Sequence, residues 1–91
     1  MERTHQSLNA AFAEVLRRQR EAAGLTQEQL SELADVSTRH ISFMETGKRQ
    51  PTLSVLVALC DGLGVTLTAF SAEMEARLLA GGDLSANGKS G

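Results

Sequence analysis

The strongest constraint on the fold of this chain is a pair of short segments, each with its own helix start and stop signals. Thr26 begins the first segment, and Gln29 stands three residues later, which is the spacing of a capping box. The apolar positions of this segment end before Asp35, and Ser37 can cap a second segment. Gly47 ends that second segment. The pattern predicts two short helices joined by a tight turn.

The other helices are predicted from apolar residues at helical spacing between glycine and proline signals. We expect a first helix over residues 8–24, a fourth over residues 52–64, and a fifth that begins at Thr66 or Thr68. Pro51 separates the third helix from the fourth, because proline cannot continue a helix. Aromatic residues make up only 3% of the chain, which favours helices over a β-sandwich. The sequence therefore predicts an all-α fold of five helices.

Length and composition favour a single domain. A chain of 91 residues that is 42% hydrophobic can close one modest core, and a second domain would leave too little apolar surface for either. We expect a flexible leader over residues 1–7 and one folded domain over residues 8–80. Residues 81–91 are mostly Gly, Ser, Ala and Asn with little to bury, so we expect a disordered tail there.

Catalysis and metal binding need reactive groups that converge, and this sequence does not bring such groups together. His5, His40 and Cys60 fall in separate segments. The single cysteine excludes an internal disulfide and a multi-cysteine zinc site. Cys60 shares the apolar stripe of the fourth helix, so we expect a small core residue there. We expect no enzyme activity, no metal, no cofactor and no small-molecule ligand.

The compartment is inferred from hydropathy and cysteine content. No apolar run reaches the roughly 18 residues that a membrane-spanning helix needs. Residues 1–7 are too polar for a signal peptide. Because a single cysteine fits a reducing compartment, we expect a cytoplasmic protein without membrane contact.

The charge distribution restricts how the chain could bind a polyanion. Nine basic residues stand against eleven acidic ones, for a formal charge of −2, so indiscriminate binding to nucleic acid is not expected. The positive charge must be local if nucleic acid is the partner. The stretch between Ser37 and Pro51 has three basic residues, Arg39, Lys48 and Arg49, and one acidic residue, Glu45. This excess of positive charge makes the region the local basic patch.

The segment from Leu25 to Leu53 carries the functional signal. A tight turn between two short helices lets the second helix project its first side chains into a major groove while the first helix lies across the backbone. This segment resembles the phage-repressor and Cro-like helix-turn-helix family, of the xenobiotic-response-element type, and the similarity runs roughly from Leu8 to Phe70. The resemblance implies a bacterial transcriptional regulator with a five-helix, lambda-repressor-like domain. It would bind double-stranded operator DNA, usually as a homodimer on a two-fold symmetric site.

The resemblance places Thr38, Arg39 and Phe43 at positions that read bases. The planar fork of Arg39 can engage guanine O6 and N7 through two parallel hydrogen bonds. Phe43 lies off the apolar stripe of its helix, and it could contact a thymine methyl group or pack against a neighbouring connector. Thr38 could reach a base, reach a phosphate, or assist the helix cap.

Phosphate contacts are implied at positions around this reading helix. Gln27 matches a residue that contacts phosphate and braces the reading helix. His40 matches a position near the DNA backbone, with a solvated surface histidine as the alternative. Lys48 and Arg49 follow the reading helix, and Arg17 could add a contact from helix one or remain an ordinary solvated residue, as could its neighbour Arg18.

One polar pair is expected to be structural. Phe12, Leu16 and Arg20 follow one another at intervals of four, which aims the Arg20 guanidinium towards the edge of the interior. The family resemblance pairs this position with that of Glu45, so we expect an ion pair between them.

The chain departs from the family pattern at two places. Asp35 occupies a turn position where glycine is common, and aspartate tolerates the left-handed conformation at a modest cost. Helix two carries Glu28 and Glu32, which would repel phosphate if they faced it, so we expect them to face solvent or a partner.

The fifth helix suggests a dimer. Phe70, Met74 and Leu78 extend an apolar stripe beyond what a small core needs, and a second copy of the chain could cover it. The alternative is that Phe70 alone enters the core and the others pack against helix one.

The rival function is a protein-interaction module on the same fold, such as an antitoxin subunit or a coactivator-like adaptor, and the excess of acidic residues over the whole chain favours it slightly.

Overall fold

Five helices make up the computed structural model, which describes residues 2–82, with side chains from residue 6 onward. They are α1 (Glu2–Ala22), α2 (Gln27–Ala34), α3 (Thr38–Glu45), α4 (Leu53–Leu63) and α5 (Leu67–Ala80). The prediction of an all-α fold of five helices is confirmed, and residues 2–82 contain no strand. Within that range no single helix is long and apolar enough to cross a membrane, and α4 and α5 reach that length only together, across a bend of 106°.

Capping side chains begin four of the helices where the sequence predicted them. The Thr26 hydroxyl accepts the backbone N–H of Gln29 at 3.0 Å, and the Gln29 side chain accepts the backbone N–H of Thr26 at 2.8 Å. Ser37 accepts the N–H of His40 at 3.0 Å in the same way. Thr52 caps α4, and Thr66 rather than Thr68 caps α5. Each such cap satisfies a donor that would otherwise lack a partner and stabilises the helix by about 1 kcal/mol.

The turn between α2 and α3 depends on a left-handed residue. Asp35 has φ 57° and ψ 44°, and among the described residues it is the only non-glycine with a positive φ. Its backbone N–H closes α2 on the carbonyl of Ser31, and the N–H of Val36 donates to the same carbonyl at 3.2 Å. Val36 is buried in the core, and its packing there holds the turn in position. The expected left-handed conformation at Asp35 is present, and it sets the angle between the two helices.

The core joins all five helices. The largest fully buried side chains come from each of them: Val15, Leu16, Leu30, Ile41, Met44, Leu59 and Phe70. Helix α2 packs closely on α4 at Gly62. If this residue carried a Cβ atom, that atom would lie 3.1 Å from Leu30 Cδ1 and 3.3 Å from the backbone nitrogen of Ala34. Cys60 is buried as predicted. Burial raises the pKa of its thiol, and the nearby Asp61 carboxylate raises it further, so the thiol stays protonated at neutral pH.

The start of helix one was predicted wrongly. We expected a leader over residues 1–7 and a helix from Leu8, whereas α1 begins at Glu2. Apolar periodicity marks only the part of a helix that packs against a core, and the polar residues before Leu8 include no glycine or proline to interrupt the helix. At the other end α5 stops at Ala80, and Gly81 supplies its cap. Residues 83–91 of the expected tail lie outside the described residues.

The prediction that Phe70 lies at a dimer interface is also wrong. Phe70 is fully buried within one molecule, and its ring centroid lies 5.7 Å from that of Phe12. Because α5 packs on α1, its first turns close the core of the monomer, which was the stated alternative for this residue. Met74 packs at the edge of that core and Leu78 is half-buried, so both retain apolar surface.

Candidate nucleic-acid interface

Helix α3 has one buried side and one open side. Ile41 and Met44 are fully buried and hold the helix on the core. On the other side Arg39 is exposed, and Thr38 and Phe43 are half-buried. The three residues predicted to read bases therefore share the open side of α3, near its N-terminus and middle.

A shallow concavity gathers several predicted contact residues. It is lined by Ser37, Arg39, His40, Phe43 and Arg49. Arg49 belongs to the connector after α3, and the structure brings it next to α3. The structure thus brings two of the residues predicted to read bases and two of those predicted to contact phosphate onto a single surface.

The Arg39 side chain stacks on Phe43. Its guanidinium carbon lies 5.3 Å from the centroid of the Phe43 ring, within the range of a cation–π contact. Such a contact at an exposed site contributes about 0.5–1 kcal/mol. It holds the guanidinium while leaving its N–H groups available. The sequence analysis gave two alternatives for Phe43, a thymine methyl group and a neighbouring connector. It missed the contact with Arg39, although the i, i+4 spacing of the two residues could have indicated it.

The basic side chains divide into two sets. Arg18, Arg20 and Arg77 each form an ion pair with a carboxylate. Four others form no ion pair within residues 6–82 and are exposed: Arg17, Arg39, Lys48 and Arg49. Arg17 lines a cleft together with Thr46 and Gly47, at the C-terminal end of α3. The cations without a carboxylate partner therefore lie on or beside α3 and its connector, and Glu28 and Glu32 are exposed on α2, as expected.

The expected pair between Arg20 and Glu45 is present and is bidentate. Arg20 Nε donates to Glu45 Oε2 at 2.6 Å, and Nη2 donates to Oε1 at 3.0 Å. Arg20 Nη1 also donates to the carbonyl of Leu25 at 2.8 Å. The side chains are 13% and 4% exposed, so the pair is largely shielded from water. The hydrogen bond to Glu45 raises the pKa of Arg20, although burial opposes this effect.

Gln27 joins the same network. Its Nε2 donates to Glu45 Oε1 at 3.0 Å, which connects the first residue of α2 to the last residue of α3. This hydrogen bond corresponds to the bracing role that the resemblance implied for Gln27. With Arg20 on α1, the network links three helices at a single carboxylate, and we refer to these three residues as the Glu45 network.

A second polar network joins α1 to α5 on another part of the molecule. Glu73 accepts hydrogen bonds from Arg18 Nε at 2.6 Å and from Gln19 Nε2 at 2.7 Å, and Arg77 pairs with Glu14 at 2.8 Å. Burial alone would raise the pKa of Glu73, but the hydrogen bonds from Gln19 and Arg18 and the nearby charges lower it overall. Sequence reasoning missed this network, and it gave Arg18, like Arg17, as either a phosphate contact or an ordinary solvated residue.

Within the described residues, no group of three His, Cys, Asp or Glu side chains is arranged to hold a metal ion. His40 lies beside Arg39 in the concavity next to α3, whereas Cys60 is buried in the core. The structure therefore does not bring these two residues together.

Sequence comparisons identify similar proteins. A family model described as helix-turn-helix matches residues 16–70, a range that includes every base and phosphate contact predicted above. The chain is 39% identical over 65 residues to the HTH-type transcriptional regulator PrpR of Mycobacterium tuberculosis. That match covers 71% of this chain but only 13% of PrpR, so the chain spans a small part of the length of this relative.

Solved structures with the same fold are also found. The wild-type restriction-modification controller protein C.Esp1396I superposes with a TM-score of 0.75 at 26% identity, over 80% of this chain and 95% of that protein. The clp gene regulator ClgR from Corynebacterium glutamicum gives a TM-score of 0.74 at 26% identity, over 82% of this chain and 81% of that protein. The similarity to both proteins extends over most of the five-helix domain.

The Glu45 network leads to a prediction about stability. Replacing Arg20 by alanine leaves Glu45 buried without its main partner, so Arg20→Ala should lower the free energy of unfolding by about 3 kcal/mol. Urea denaturation followed by circular dichroism measures this change. The double variant Arg20→Ala/Glu45→Ala should lose less than the sum of the two single variants, because the interaction is shared.

Arg18→Ala is the matched control for this measurement. Arg18 also pairs with a carboxylate, but its side chain is 57% exposed. Exposed pairs contribute at most about 1 kcal/mol, so this variant should remain close to wild type. A stability of Arg20→Ala equal to that of Arg18→Ala would contradict the structural role of the buried pair.

Proposed function

This chain belongs to the helix-turn-helix family of DNA-binding transcriptional regulators, and we propose that it reads a two-fold symmetric operator in the major groove as a homodimer. The observation that carries this proposal is the division of the basic side chains. Within residues 6–82, the cations without a carboxylate partner lie on or beside α3, whereas Arg18 and Arg77 are paired in the α1–α5 network. This arrangement gives a chain of net charge −2 a local surface for a polyanion.

Arg39 is the proposed specificity residue. It is exposed at the first turn of α3, and its guanidinium is held by Phe43 rather than by a carboxylate. A guanidinium in this position can donate two hydrogen bonds to guanine O6 and N7 in the major groove. Thr38 precedes it and could reach a neighbouring base edge, and Phe43 belongs to the base-reading set through its contact with Arg39.

The phosphate contacts are proposed on both sides of the groove. Lys48 and Arg49 follow α3 in the connector, and Arg17 lines the cleft at the C-terminal end of α3. His40 shares the concavity with Arg39. Gln27 donates one Nε2 hydrogen to Glu45, which leaves its second Nε2–H and the backbone N–H groups at the start of α2 as donors for a phosphate there.

A second copy of the chain is the proposed partner on α5. Leu56 of α4 and Met74 and Leu78 of α5 line an apolar groove, with Ser71 and Glu75 at its edge. A two-fold symmetric operator requires two reading helices about one turn of DNA apart, roughly 34 Å. A homodimer that buries Met74 and Leu78 would supply the second helix.

We propose that the protein acts as a repressor or autoregulator in the bacterial cytoplasm. A dimer that fills two successive major grooves excludes other proteins from the same DNA. When the operator overlaps a promoter, this occupancy blocks transcription. The concentration of the dimer then sets the extent of repression.

A protein-interaction module is the second candidate function. The observation that favours it is the exposure of apolar side chains outside the α5 groove, since Leu33 on α2 is 59% exposed and Leu53 on α4 is 79% exposed. Leu33 stands next to Glu32, so a partner for this surface would combine apolar and basic groups. The DNA experiments below distinguish the two functions.

Selection of bound sites from a random DNA pool tests operator reading. The wild-type protein should enrich a two-fold symmetric motif with a guanine at a constant place in each half-site. Arg39→Ala should lose discrimination at that guanine, and its affinity for the best site should fall by about tenfold or more, because each bidentate contact contributes roughly 1–3 kcal/mol. Absence of any enriched motif would contradict operator reading and favour the interaction module.

The salt dependence of binding tests the phosphate contacts. If Arg17, Lys48 and Arg49 each neutralise a phosphate in both protomers, the logarithm of the binding constant should fall with the logarithm of salt concentration with a slope of about −5. Lys48→Ala should reduce the magnitude of this slope by about 2, because one contact is lost in each half-site. Arg18→Ala is the control and should leave the slope unchanged, since Arg18 is paired with Glu73. Equal slopes for Lys48→Ala and wild type would contradict the assignment of Lys48.

Sedimentation equilibrium tests the dimer. The wild-type protein should sediment at twice its chain mass of 9.7 kDa, and Met74→Glu should sediment as a monomer, because a carboxylate is costly to bury in an apolar groove. Leu67→Glu is the matched control, since Leu67 lies on the same helix, is 42% exposed and does not line the groove. A monomeric wild-type protein at high concentration would contradict the dimer.

A further inference from the structure

We propose that Arg39 and Phe43 together make this protein sensitive to the 5-methyl group of a pyrimidine in its operator. A thymine–guanine step or a 5-methylcytosine–guanine step would then be bound more tightly than the same step without the methyl group. This inference rests on the proposed function, because it specifies the base step that Arg39 reads.

The geometry of the stacked pair is the starting point. A guanidinium group is flat, with two faces and an edge of N–H donors. In this structure the Arg39 guanidinium carbon lies over the Phe43 ring, 5.3 Å from the ring centroid, and in the DNA complex we assign the ring to one face of the guanidinium. Arg39 is exposed, so its other face and its edge remain open.

The surroundings of Arg39 keep it available for DNA. The other residues that line its concavity are Ser37, His40 and Arg49, and no carboxylate is among them. Arg39 forms no ion pair within residues 6–82. The guanidinium is therefore positioned by an apolar ring and is not neutralised by a competing acid.

Guanine recognition determines where the open face would lie. An arginine that donates to O6 and N7 of guanine lies close to the plane of that base. Its two faces then look towards the neighbouring base pairs. With Phe43 on one face, we assign the other face to the major-groove edge of the pyrimidine on the 5′ side of the guanine.

The C5 substituent is what distinguishes pyrimidines at that edge. Thymine carries a methyl group there, as does 5-methylcytosine, whereas cytosine and uracil carry hydrogen. The guanidinium faces are weakly hydrated, so a methyl group can pack on the open face and displace water. Burial of one methyl group corresponds to a gain in affinity of about fourfold per half-site.

Phe43 is a positioning residue in this scheme. Its ring immobilises the guanidinium before DNA binds, so less conformational freedom is lost when Arg39 reaches the guanine. Without the ring, the arginine could still donate to guanine but would not be held flat against the methyl group. With the ring in place, cytosine methylation would be an input to regulation through the Arg39–Phe43 pair.

The test compares duplexes that differ only in the methyl group. After the operator is defined by selection, four duplexes are made with cytosine, 5-methylcytosine, uracil or thymine on the 5′ side of the guanine that depends on Arg39. Dissociation constants are measured by fluorescence anisotropy at one salt concentration. Wild-type protein should bind the methylated member of each pair about fourfold more tightly when one half-site is changed and about sixteenfold when both are.

Two conservative variants separate positioning from general support of the fold. Phe43→Tyr keeps the ring and should retain the methyl preference, whereas Phe43→Leu keeps apolar bulk without a ring and should reduce it to less than twofold. A merely structural role for Phe43 would weaken binding to all four duplexes equally and leave their ratios unchanged. Thermal melting of each variant checks that it is folded.

The outcomes are distinguishable. Equal affinity of wild-type protein for both members of both pairs would overturn the inference while leaving operator reading intact, and so would an unchanged methyl preference in folded Phe43→Leu. If Phe43→Leu does not fold, the wild-type ratios alone decide. Failure to select any site would instead contradict the proposed function.

Discussion

The buried carboxylate of Glu45 is the group on which the arrangement of α3 depends. It accepts hydrogen bonds from Arg20 on α1 and from Gln27 on α2, and it belongs to the last turn of α3. Ion pairs of this kind contribute little net stability compared with apolar packing, but they are costly to break on one side only. The Glu45 network therefore works mainly as a constraint on geometry, since it fixes the C-terminal end of α3 relative to two other helices.

This constraint explains why the N-terminal part of α3 can be open. Ile41 and Met44 anchor the buried side of the helix, the Glu45 network holds its end, and the turn at Asp35 sets its angle to α2. None of these contacts uses Arg39. The same helix is thus held on the core and still presents an arginine whose guanidinium contacts an aromatic ring. A side chain preorganised in this way loses less freedom on binding than a free one.

Local signals accounted for most of what could be predicted. Caps at Thr26, Ser37 and Thr52 depend on hydrogen bonds within a few residues, and a left-handed Asp35 depends on its own backbone, so both are encoded over short stretches. The start of α1 was missed because apolar periodicity ends where packing ends, before the helix does. The burial of Phe70 was predicted only as an alternative, because a stripe on α5 does not reveal which of its turns closes the core and which remains at the edge.

The sequence by itself determined the five helices, the tight turn and the basic character of the α3 region. Caps and glycines set helix ends through contacts within a few residues, and the charge of a segment follows from its composition. Only the tertiary structure decided which cations are neutralised. Arg17 and Arg18 are adjacent in the chain, yet Arg18 meets Glu73 on α5 whereas Arg17 lines the cleft at the end of α3. Successive residues on a helix point about 100° apart, so their partners depend on how the helices pack. That packing joins residues more than fifty positions apart, and no short-range pattern records it.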